Sequence, residues 1–165
     1  MVFVRSYRRG KKGVGLYLVR GHWRRSPGRK KIVLPNRYLE NLLHIKNGAH
    51  WSQFVKSDDT DFPSYNEMLE HPGNYPNRRI EIREIYPIDY MAFCAIIQGT
   101  DQARQYKNIE KHLVDEYMYR ALQDETKMPL PLLDFVGKEQ DGRNRVAALK
   151  KMGFKKVPVL FITSK

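Results

Sequence analysis

Two short apolar runs, Leu130 to Val136 and Val157 to Thr163, bracket a stretch whose hydrophobic residues recur at helical spacing, and this alternation most constrains the fold. Runs of that length and composition read as interior strands. Between them Asp141-Gly142 turns the chain, Arg143 to Met152 places Val146, Leu149 and Met152 on one side of a helix, and Gly153 is its natural stop. Strand, helix, strand predicts an α/β or α+β domain with a small mixed sheet flanked by helices.

The start of that helix carries the candidate chemistry. A helix N-terminus presents unpaired N–H groups and the positive end of the dipole, so it favours anions. Arg143 and Arg145 stand in the first turn, where the dipole opposes them, whereas a helix selected only for stability places acids there. Solvated surface charge is one explanation, since screening makes the placement cheap. A receptor for phosphate, formed by Gly142, Arg143, Asn144 and Arg145, is the functional one. Glu139 and Asp141 precede the glycine and supply what a general base or a divalent cation requires, although both also suit turn formation and Asp141 suits helix capping.

The segment MPLPLLDFVGKEQDGRNRVAALKKMGFKKVPVLFI, Met128 to Ile162, resembles the core of the ParB/sulfiredoxin-like superfamily, in which a strand, a G-x-x-R turn, a helix and a V-P-V strand follow in order. RIEIREIYPIDY, Arg79 to Tyr90, resembles the strand and helix that open such a domain. Gly142 and Arg145 match the glycine and last arginine of the ParB and sulfiredoxin boxes, so the resemblance implies nucleotide-phosphate binding there. The chain departs from both boxes: Arg143 stands where sulfiredoxin has its reactive cysteine and ParB its glutamate, and Asn144 replaces the first ParB arginine. Neither sulfinic-acid repair nor a CTP switch is therefore carried over. The resemblance implies a ParB/sulfiredoxin-like domain over residues 79–165 and does not extend to residues 1–78, whose own charge and spacing read as a basic region of hairpin, helix and loop.

Charge is unevenly placed along the chain. Residues 1–39 hold 12 Lys or Arg and no acid, while the remainder holds 18 of each sign, so the net charge of +12 belongs to the N-terminal quarter. Arg5, Arg8, Arg9, Lys11, Lys12, Arg20, Arg24, Arg25, Arg29, Lys30 and Lys31, interleaved with Trp23 and other aromatic residues, suit phosphate contacts with stacking on bases. Val14 to Val19 can form a strand within this segment. No zinc finger, RNP motif or basic zipper is present, so weakly sequence-specific DNA contact through the backbone is expected. A solvated basic tail, or a patch for an acidic protein or RNA, is the alternative.

Elsewhere, Asn36 to Lys46 predicts a helix with Leu39, Leu42 and Leu43 on its apolar side, stopping at Asn47-Gly48. Residues 50–77 read as loop with a short helix near Ser64 to Glu70, and Asp58, Asp59 and Asp61 as a solvated acidic cluster. Ile88 to Gln98 predicts an apolar helix ended by Gly99, and a longer helix from Asp101 to Asp124 buries Ala103, Tyr106, Ile109, Leu113 and Tyr117. Cys94 is a core residue by its apolar neighbours. One cysteine, no apolar run of membrane-spanning length and no secretory pattern predict a cytoplasmic protein without a membrane partner. The five histidines have no zinc-site spacing, and no metal ligand set is assigned.

The sequence specifies phosphate contact more sharply than turnover. DNA or nucleotide-phosphate binding is the first expectation. A metal-dependent nuclease or nucleotide hydrolase, using ATP or CTP and Mg²⁺, is the alternative, and a small-molecule kinase on the same fold is third. The pocket is expected at the Gly142 turn, bordered by the sheet's first strand.

Overall fold

A computed structural model describes residues 37–123 and 125–165 in full, and the backbone alone of Asn36 and of four N-terminal strands. Those strands are β1 (Val2–Val4), β2 (Tyr7–Lys11), β3 (Val14–Val19) and β4 (His22–Arg24). β2 pairs antiparallel with β3, as the sequence between its glycines suggests, and β1 pairs antiparallel with β4. They belong to a compact unit, Met1–Val33, separate from a second unit, Leu34–Lys165. The helix and loop over 36–77 thus belong to the same compact unit as the C-terminal elements.

The second unit contains α1 (Asn36–Lys46), α2 (Pro63–Glu70), β5 (Arg78–Ile85), α3 (Pro87–Gln98), α4 (Gln102–Lys107), α5 (Lys111–Leu122), β6 (Leu132–Asp134), β7 (Glu139–Asp141), α6 (Arg143–Met152) and β8 (Val157–Ser164). Its four-stranded mixed sheet has the order β5-β8-β6-β7. β8 is central: β5 runs antiparallel to it with Ile82 opposite Leu160, and β6 runs parallel with Leu133 opposite Phe161. Residues Val157 to Ile162 are all buried, which explains why β8 reads as a continuous apolar run rather than an alternating one. Tyr90, Met91 and Cys94 of α3 and Val146, Leu149 and Met152 of α6 complete the core. Phe93 meets Phe135 and Phe161 edge-on, each at 5.6 Å between centroids. The observed class is therefore α/β or α+β with a mixed sheet. No helix among the described residues is long and apolar enough to cross a membrane.

Three expectations require correction. The apolar run at 130–136 yields only the three-residue strand β6, since residues 135–138 turn the chain back into β7, a polar strand of Glu, Gln and Asp that carries no hydrophobic signature. The long helix over 101–124 is two helices, α4 and α5, separated at Asn108–Glu110. Ala103 and Tyr106 are accordingly exposed, and Gln105, Val114, Ala121 and Leu122 are the buried positions. In α1 the buried side is formed by Tyr38 and Ile45, with Leu42 packed against them, while Leu39 and Leu43 face outward.

Cys94 is fully buried, as expected, and burial pushes its thiol up to about 12. It is a packing residue in contact with Gln140 Oε1 at 3.3 Å.

Candidate functional site

The hairpin that places Asp141 is built by Asp134. Its buried carboxylate accepts the backbone N–H groups of Val136 and Gly137, each at 2.8 Å, and so closes the turn after β6. Its other oxygen accepts from Arg78 at 3.2 Å and from the Tyr65 hydroxyl at 3.0 Å. The same hydroxyl stands 2.9 Å from Glu139 Oε2. Burial and these two acids raise the Tyr65 pKa well above its ordinary value, so Tyr65 remains a neutral donor. Glu139 is thereby engaged at the hairpin and does not line the cavity beside Asp141.

After β7 the chain enters α6 through Gly142, whose φ of 104° is accessible only to glycine at low cost. A Cβ there would stand 2.8 Å from Pro131 Cβ and 2.9 Å from Pro131 Cα, so the close strand approach requires glycine as well. No side chain caps α6. Asp141, expected as a cap, instead pairs with Arg145 one turn later. The first helical bond runs from Val146 N to Gly142 O at 2.9 Å, and the preceding N–H groups have no partner within the helix.

The first turn of α6 borders a cavity of about 120 Å³ lined by Asp61, Asn108, Glu110, Tyr117, Asp141, Gly142, Arg143, Asn144 and Arg145. Arg145 is only 1% exposed, an uncommon state for a guanidinium. Two carboxylates compensate it: Asp141, and Asp61 with Oδ2 at 2.6 Å from Nη1. The Asp61 contact is close but not directed as a hydrogen bond, which leaves Nη1 buried without one. Arg143 is half-buried and donates to Gln105 Oε1 at 2.6 Å. Gln105 is itself fixed by Gln98 and Thr100 at 2.9 and 2.7 Å. Asn144 Oδ1 accepts from Glu110 N at 2.9 Å and so ties the start of α5 to that of α6. The buried Tyr90 hydroxyl donates to Asp141 O at 2.5 Å and holds the end of β7 in place.

The four residues expected at the anion site, Gly142 to Arg145, do line one cavity. Arg145, expected among the phosphate-binding residues, is engaged by two aspartates. The pocket's border is also different, since α2's approach and the α4–α5 break supply it rather than β5. Asp61, Asn108, Glu110 and Tyr117 are the residues the sequence reading missed. By sequence Asp61 belongs to a cluster of solvated acids, yet within that cluster Asp59 is the one with a local ion pair, to Lys56 at 2.6 Å. An unpaired acid and a misplaced arginine were each visible, but nothing in the spacing joined them.

With Asp61, Asp141 and Glu110 opposed to Arg143 and Arg145, the cavity carries one net negative charge. Burial raises the Asp61 pKa; Arg145 opposes that shift and Asp141 adds to it. A bare phosphate would meet three carboxylates here. Among the described residues no three His, Cys, Asp or Glu side chains form a metal cage.

Of the residues expected on nucleic acid, Arg8, Arg9, Lys11, Trp23 and Arg24 lie on β2 and β4, described by backbone only, and Arg5, Lys12, Arg20, Arg25, Arg29, Lys30 and Lys31 lie outside the described residues. Compared with known proteins, the chain matches no family model, no curated protein and no solved structure.

Proposed function

We propose that the cavity at the start of α6 binds a phosphate ester, of a nucleotide or of a DNA backbone, together with a divalent cation. The observation that carries this reading is the coexistence of uncapped helix N–H groups with two carboxylates held on a buried arginine. The N–H groups and Arg143 suit phosphate oxygens. Asp61 and Asp141 disfavour a lone anion and suit Mg²⁺, which is commonly held by one or two carboxylates and completed by the phosphate itself. Arg145 is then a positioning residue that fixes both carboxylates, not a phosphate ligand.

The order β6, Gly142 turn, α6 and V-P-V strand β8 supports the ParB/sulfiredoxin-like reading of residues 79–165. The charge of the first 39 residues favours a polynucleotide over a free nucleotide as the main partner, with binding that weakens as salt rises. A cytoplasmic location belongs to the same reading. Cleavage or hydrolysis is a second reading, favoured by Asp61 and Asp141, which can orient a water beside the cation.

Isothermal titration of the full chain with ATP, CTP and short duplex DNA, with and without Mg²⁺, tests the proposal. Nucleotide binding that requires Mg²⁺ and is lost in Asp61→Asn/Asp141→Asn supports it, and binding indifferent to both would overturn it. Plasmid incubated with Mg²⁺ or Mn²⁺ tests turnover, which Asp141→Asn should abolish.

A further inference from the structure

A second cavity, of about 360 Å³, lies away from the α6 start. It is lined by Gly48, Ala49, His50 and Trp51, by Glu84 and Tyr86 at the end of β5, and by Phe154, Lys155 and Lys156 between α6 and β8. Its size is within the range of small-ligand sites. Phe154 is committed inward, with its ring 5.8 Å from that of Phe54. Trp51 is half-buried with part of its surface against the core, and Tyr86 is 51% exposed. Trp51 is fixed by donation from Nε1 to Glu84 Oε1 at 2.7 Å, and the His50 ring lies 4.8 Å from the indole. His50 Nε2 also approaches Glu84 Oε1, at 3.7 Å, so both contacts fall on one carboxylate oxygen. Lys156 Nζ is 5.4 Å from the centre of the Tyr86 ring.

Aromatic faces with one acid can form a cage for an organic cation, but a rim of two lysines repels such a ligand. The same rim attracts a ligand that is aromatic and anionic. We propose that this cavity binds an unstacked nucleobase with its adjoining phosphate. The base stacks on Trp51 and Tyr86, Glu84 Oε2 accepts from an exocyclic amino group, and Lys155 and Lys156 meet the phosphate. Bases bearing an amino group are preferred over thymine, which offers none.

The chain has two tryptophans, so Trp23→Phe leaves Trp51 as the sole indole. In this background, titration with CMP and with a short single-stranded oligodeoxycytidylate, without Mg²⁺, reads the cavity through Trp51 emission and independently of the α6 site. Saturable quenching is expected, weakened about tenfold by Tyr86→Ala and by Lys155→Ala/Lys156→Ala, all exposed positions whose replacement does not test folding. Tighter quenching by the oligomer identifies single-stranded nucleic acid as the source of the base, and equal or tighter quenching by CMP identifies a free nucleotide. Emission that neither probe changes, or quenching that ignores both variants, overturns the proposal.

Discussion

Arg145 and Asp61 form an ion pair in which a guanidinium buried inside the domain meets a carboxylate that is 44% exposed on its surface, with 2.6 Å between Nη1 and Oδ2. Asp141, 36% exposed, completes the cluster at Nη2 of the same guanidinium. The arrangement joins the loop before α2 to the hairpin and to the first turn of α6. A single buried cation thereby determines where two candidate metal ligands stand.

Removal of that cation should therefore cost both stability and site geometry. Breaking a buried pair from one side typically costs 3–5 kcal/mol, but here the orphaned carboxylates can take up water, so Arg145→Met should lose about 2 kcal/mol in urea unfolding. Neutralising the carboxylates as well, in Arg145→Met/Asp61→Asn/Asp141→Asn, should return about half of the loss. An Arg145→Met protein as stable as the parent would mean that the cluster contributes nothing to folding.

Arg143 should behave in the opposite way. It is half-buried, its one described partner is the neutral Gln105, and it borders the cavity. Arg143→Ala should change the unfolding free energy by less than about 1 kcal/mol, while the lost charge-assisted bond to phosphate lowers Mg²⁺-nucleotide affinity by about tenfold or more. Equal affinities for variant and parent in calorimetric titration would remove Arg143 from the site.

Gly142 separates two costs that glycine replacements usually mix. Gly142→Ala combines a φ of 104° with a methyl group 2.8 Å from Pro131, whereas Gly48→Ala has a φ of 91° and open space around the added carbon. Backbone strain alone predicts a loss of about 1 kcal/mol at Gly48, and the clash should raise the loss at Gly142 to about 3 kcal/mol. Chemical denaturation of the two variants side by side measures the difference, and equal losses would show that Pro131 yields freely.

The contrast between legible and illegible parts follows from the range of the interactions. α3, α6 and β8 are readable because proline, glycine and apolar spacing within each segment decide them, whereas in α1 the flanking proline and glycine fix the extent but not the buried face. β7 is not readable, since Glu139, Gln140 and Asp141 become a strand only through the turn that Asp134 closes and the pairing with β6. The break between α4 and α5 likewise depends on Asn144, distant in sequence, accepting the Glu110 N–H. The helix start was found because Arg143 and Arg145 contradict the dipole. Their roles diverge for a tertiary reason, namely that Asp61 reaches one arginine and Gln105 the other.

Asp61 should make the site sensitive to pH with a defined sign. Its folded pKa lies above the ordinary 3.8, first because of burial. The folded state therefore holds that proton more tightly than the unfolded chain, and the associated stability is full below pH 3.8 and is lost as pH rises through the folded pKa. Asp59 has the reverse sign: the hydrogen bond from Lys56 lowers its pKa, so its contribution is present above 3.8 and is lost as pH falls through the folded value. Unfolding free energies across acidic pH should show the parent gaining on Asp61→Asn, and losing ground to Asp59→Asn, as pH falls. A cation on Asp61 must displace the proton, so Mg²⁺-nucleotide affinity should rise with pH through the Asp61 pKa and then level off. The same titration on Asp61→Asn should be flat over that interval, and an unchanged pH slope in the variant would assign the proton to another group.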